Sequence, residues 1–127
     1  MSYSPILNNW KNRDPKRYKY DEYVIEVEKD LFLPVFLDWA EKNEYRLLEQ
    51  EINELALMKY GHGALGYPLI VGLICSFSKP IHLYLFWFMG SEDQFINGNY
   101  KGVTQVSGKL KPIKKEVEAL VRYFATK

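Results

Sequence analysis

Residues 67–89, YPLIVGLICSFSKPIHLYLFWFM, form a 23-residue stretch that is apolar almost throughout. A membrane helix needs about 20 such residues. The middle of this stretch reads Ser76-Phe77-Ser78-Lys79-Pro80. A lysine at mid-bilayer costs about 3 kcal/mol, and the adjacent proline removes a helix hydrogen bond. The composition therefore points to two strands, 69–77 and 81–89, joined by Ser78-Lys79-Pro80.

Pairing about that connection sets Phe77 against Ile81, Cys75 against Leu83, Leu73 against Leu85 and Val71 against Trp87. This first face is wholly apolar and must be core. Side chains alternate along a strand, so the second face is also defined. It carries Ile70, Gly72, Ile74 and Ser76 against Phe88, Phe86, Tyr84 and His82, with Phe86 over Gly72. That face is also too apolar for water. It needs either a second layer or a partner.

The rest of the chain supplies helices and turns. The spacing of Leu48, Ile52, Leu55 and Lys59 predicts a helix over 44–60, closed by Gly61. Pro34 opens a short helix to residue 43 with Val35, Phe36 and Trp39 inward. Residues 23–29 suit either a strand or a helix. Asn97-Gly98 predicts a turn that pairs the region of Phe95 and Ile96 with 100–106. Lys111-Pro112 opens a last helix whose inner stripe is Leu110, Ile113, Val117, Leu120, Val121 and Phe124. Residues 1–20 show no apolar period and read as an irregular basic arm. With 127 residues the expectation is one α+β domain over 1–127, about three helices packed on a small, mostly antiparallel sheet.

Charge is segmented although the total is only +1. Residues 1–20 carry five bases and one acid, residues 21–60 four and eleven, residues 61–99 one and two, and residues 100–127 seven and two. The head and tail are thus basic and the middle acidic. In the head, Lys11, Arg13, Lys16, Arg17 and Lys19 interleave with Trp10, Tyr18 and Tyr20. Cations suit phosphates and rings suit unstacked bases. Lys101, Lys109, Lys111, Lys114 and Lys115 would extend that surface. The plainer reading is an arm that neutralises the acidic middle.

Motifs for chemistry are weak. Gly61-His62-Gly63-Ala64-Leu65-Gly66 matches G-x-G-x-x-G without the preceding strand and following helix that phosphate binding requires. Ser76-Phe77-Ser78-Lys79 matches S-x-x-K without companion elements. Asp14-Pro15-Lys16 offers half of a D-x-K nuclease pattern. His62 is the one plausible general base. No metal site, cofactor or catalytic set is expected. The single cysteine, Cys75, reads as a buried thiol. The N-terminus does not resemble a secretory leader, so a cytoplasmic setting is expected.

These features argue for a small intracellular binding or regulatory protein. It would act by protein–protein contact, self-association included, through Ile70, Ile74, His82, Tyr84, Phe86 and Phe88. An inhibitor- or immunity-type role suits the acidic middle. The alternative is a nucleic-acid-binding module using Trp10, Lys11, Arg13, Lys16, Arg17, Tyr18 and Lys19. A small-molecule enzyme using His62 ranks third.

Overall fold

The structure, a computed structural model, describes residues 4–12, 20–64, 67–97 and 107–125. Its elements run α1 (Pro5–Lys11), β1 (Tyr20–Ile25), α2 (Lys29–Lys42), β2 (Arg46–Glu51), β3 (Glu54–Ala64), β4 (Tyr67–Ser76), β5 (Ile81–Met89), α3 (Glu92–Asn97) and α4 (Ser107–Ala125). All strand pairs are antiparallel, and the five-stranded sheet has the order β1-β5-β4-β3-β2. The fold is α+β. No helix among the described residues is long and apolar enough to cross a membrane.

The central hairpin keeps the register expected from its alternation. Cys75 faces Leu83, Leu73 faces Leu85, Val71 faces Trp87, and Gly72 faces Phe86. A side-chain carbon at residue 72 would stand 2.4 Å from the tip of the Phe86 ring, so only glycine fits there. The first face packs under α2 and α4. Phe32, Phe36 and Ala40 descend from α2, and Leu110, Ile113, Val117, Leu120 and Phe124 from α4. The α4 stripe is the one its spacing dictates, though the helix begins before Lys111 and carries Pro112 inside it.

The helix expected over 44–60 is instead the β2–β3 hairpin, with Glu51 paired to Glu54 across Ile52-Asn53. The reason is two-sided burial. Leu55 and Leu57 enter one core while Ala56 and Met58 enter the other. A strand buried on both faces loses its alternation and reads as a continuous apolar run. Ile52, counted as an inner helical position, is 82% exposed at the turn. That turn is pinned from outside: the Lys29 ammonium donates to the Ile52 carbonyl at 2.7 Å. The Phe77 amide donates to the Asn53 carbonyl at 2.8 Å.

Two further expectations are corrected. Phe95 and Ile96 lie in α3, not in a strand. Ser91 and Gln94 form a reciprocal capping box: Gln94 Oε1 accepts from the Ser91 amide at 2.8 Å, and Ser91 Oγ from the Gln94 amide at 3.3 Å. Gly98 and residues 100–106 lie outside the described residues. The N-terminal arm is not irregular over its first part, because α1 is a helix with Pro5 in its first turn.

Candidate functional site

The six residues expected to meet a partner do share one face of the sheet, but the chain covers that face itself. Ile70, Ile74, Phe86 and Phe88 are each 0–2% exposed beneath α1 and α3. Ile6, Leu7 and Trp10 descend from α1, and Phe95 from α3. Of the two covers expected for this face, a second layer or a partner, the chain supplies the layer, which corrects the assignment of the four buried residues to a partner; two short helices suffice because they bring aromatic rings to it. The Trp10 ring stacks on Phe86 at 5.2 Å and 20° and also touches Tyr84 and Tyr20. Phe95 packs on Phe86 at 5.4 Å. His82 and Tyr84 remain partly exposed at the margin, where His82 Nδ1 lies 2.6 Å from the Glu22 carboxylate.

Helix α1 is held in place by acids of the β2–β3 hairpin. The register of β2 shifts between Leu47 and Glu49, and this bulge sends both Leu48 and Glu49 toward α1. The Glu49 carboxylate accepts from the Ile6 and Leu7 amides at 2.7 and 2.9 Å. It thus satisfies two amides that a helix start leaves open. Ser4 Oγ donates to Glu51, and Lys11 pairs with Glu54 at 2.7 Å. The Glu54 carboxylate raises the Lys11 pKa, chiefly by their hydrogen bond. The Ser4–Glu51 and Lys11–Glu54 pairs line a cleft of about 550 Å³.

The residues of the nucleic-acid alternative divide. Trp10 is 6% exposed, so its ring faces are not presented for stacking. Lys11 is paired with Glu54, and Lys114 with Asp21 at 3.1 Å. Lys111 and Lys115 are exposed on α4. Arg13, Lys16, Arg17, Tyr18, Lys19 and Lys101, with the side chain of Lys109, lie outside the described residues.

The weak chemical motifs acquire places but no machinery. Gly61 to Ala64 end β3, and Ala64 pairs with Tyr67. A strand thus precedes the glycines, where the sequence predicted a helix, and a strand rather than a helix follows them. The side chain of His62, like Asp14, Pro15 and Lys16, lies outside the described residues. Ser76 Oγ lies 3.1 Å from Ser78 Oγ, while Lys79 pairs with Glu28 at 2.5 Å. Cys75 is fully buried, and burial pushes its thiol well above the ordinary range. The Tyr45 hydroxyl is buried without a hydrogen-bond partner among the described residues, and desolvation raises its pKa too, with Glu116 adding to the effect. No cluster of three or more metal-ligating side chains occurs among the described residues.

What the surface offers instead is a groove between the first half of α2 and the last turns of α4. A hollow of about 230 Å³ lies there; it shares Val27 with one of about 420 Å³ beside the Lys79-Pro80 turn and Phe124 with one of about 400 Å³ between β1 and α4, and those two share Glu26. Leu31 and Val35 of α2, with Val27 just before it, line one wall, and Tyr123 and Phe124 the other. Leu31 is 66% exposed and Tyr123 45%. The sequence reading missed Leu31 and Tyr123. Starting α2 at Lys29 instead of Pro34 would have set Leu31 and Val35 four apart on one helix face. Comparison with known proteins gives no match: no family model, no curated protein and no solved structure resembles this chain.

Proposed function

We propose that this chain is a small binding or regulatory protein that acts through protein–protein contact, with the α2–α4 groove as its contact surface. The observation that carries the reading is the exposure of Leu31 and Tyr123 on the two facing walls of one apolar hollow. Large side chains held in water beside a groove mark interaction sites more often than isolated ones do. An inhibitor- or immunity-type role is one form of this reading, since the groove is bordered by acids of the acidic middle. The nucleic-acid alternative has less support, because Trp10, Lys11 and Lys114 are engaged within the chain.

The test compares the native protein with Leu31→Glu and Tyr123→Glu, each first matched in melting temperature. Captured from extracts of the source cells, the native protein should retain a discrete partner that both variants lose. Equal retention by all three would reject the groove. Salt-sensitive retardation of labelled RNA or DNA, with no protein retained, would favour the alternative.

A further inference from the structure

We infer that the α2–α4 groove takes an amphipathic, cationic helix of a different protein, its apolar side seated between Leu31 and Tyr123 and its lysines or arginines against Glu26, Glu28 and Asp30. The inference rests on the reading of the groove as a protein contact and adds the chemistry of the occupant.

Shape supplies the first argument. A channel walled by two helices, with apolar side chains along its floor, suits the apolar face of a third helix. Leu31 and Val35 stand four residues apart on α2, and Val27 lines the hollow just before the helix. Charge supplies the second. Glu26 borders two of the hollows and Glu28 one of them, and exposed Asp30 precedes Leu31 in the first turn of α2. Glu26 and Asp30 have no ion-pair partner among the described residues, whereas Glu28 is paired with Lys79. Of the neighbouring cations, Lys79 lines one hollow with Glu26 and Glu28 and is held by Glu28. Lys29 is turned away onto the Ile52 carbonyl and the Phe77 ring, and Arg122 stands on the exposed side of α4.

The same charges argue against a second copy as the occupant. A twofold interface is self-complementary, so this patch would meet itself. The unpaired carboxylates of both copies would then converge, and like charges across an interface oppose association. A cationic partner removes that cost and gains attraction from the same groups.

The test uses two synthetic peptides of about 18 residues, long enough to hold a helix, that share one helical pattern of leucines. One carries lysine on its polar face and the other glutamate. Binding is read by fluorescence anisotropy and by amide shifts in the full-length protein, at about 0.05 M and about 0.5 M salt. The lysine peptide should bind, shift amides around Leu31 and Tyr123, and weaken at the higher salt. It should lose about tenfold or more with Leu31→Glu, and likewise with Glu26→Lys combined with Asp30→Lys. If the glutamate peptide binds as well as the lysine peptide and Leu31→Glu still abolishes binding, the groove stands and the cationic assignment falls. If neither peptide binds, or if Leu31→Glu changes nothing, the groove reading itself falls.

Discussion

The two faces of the sheet are covered by different means. The first lies under α2 and α4, helices of 14 and 19 residues that bring long apolar stripes. The second lies under α1 and α3, of seven and six residues, too short to be stable alone. The long helices bury more than they need and leave Leu31 and Tyr123 in water, where a partner can reach them. The short helices leave nothing apolar over. They hold their places by concentrated aromatic contact, by the Glu49 carboxylate at the start of α1 and by the Ser91–Gln94 capping box at the start of α3. The first side therefore offers an apolar hollow to a partner, while the second is closed over its centre, with Val24 and Tyr60 half exposed at its margins.

The sharpest way to break this comparison is to remove the ring that closes the second face. Trp10→Ala should cost about 3–5 kcal/mol in a denaturant titration, as for other buried aromatics cut to alanine. Leu31→Glu on the opposite side should stay within about 0.5 kcal/mol, since the site is exposed. Comparable losses at the two sites would erase the distinction. Gly72→Ala comes next, at about 1–3 kcal/mol, because the added carbon meets the Phe86 ring. Combining it with Phe86→Leu should recover part of the loss, which a double-mutant cycle would show.

How much of this was legible depends on whether a turn or a single buried face marks the element. The β4–β5 register could be read although both strands are buried on both faces, because Ser78-Lys79-Pro80 marks the turn between them, and the α4 stripe because that helix packs on one side only. The β2–β3 hairpin could not, because Leu55, Ala56, Leu57 and Met58 are all interior and erase the period-two signal. α3 had a readable start in Ser91 and Gln94, outweighed by the Asn97-Gly98 turn signal. α1 depends on Glu49, 42 residues away from Leu7 in the chain, and no local pattern announces such a cap. The groove was hidden for a related reason: it joins α2 to the far end of the chain, a tertiary fact.

Smaller effects sharpen the account of the tethers. Glu49→Ala should lower stability by about 0.5–2 kcal/mol, the range for losing a helix N-cap, and speed amide exchange at Ile6 and Leu7 first. Glu44 closes α2 with a φ of 68°, and the Tyr45 amide donates back to the Ala40 carbonyl at 2.9 Å. Glu44→Gly should therefore stabilise the fold by about 1 kcal/mol, measured as a raised denaturation midpoint.

The alkaline limb gives a test with a defined sign. Burial, aided by Asp21 and Glu118, pushes the Tyr23 hydroxyl up to about 12 from its ordinary 10. The folded state then holds a proton that the unfolded chain releases first. The contribution is complete below pH 10 and is lost as pH rises toward 12. Tyr45 and Cys75 act in the same direction. Denaturant midpoints should fall across that window, and Tyr23→Phe should flatten the slope.

The claim on which all of this turns is that the chain closes its own second face. Mixed-label nuclear Overhauser spectroscopy tests it, on a sample whose sedimentation is measured at the same concentration. The account predicts contacts from the Trp10 indole to the Phe86 and Tyr84 rings within one labelled chain. The same contacts appearing only between differently labelled chains, or not at all, would contradict it.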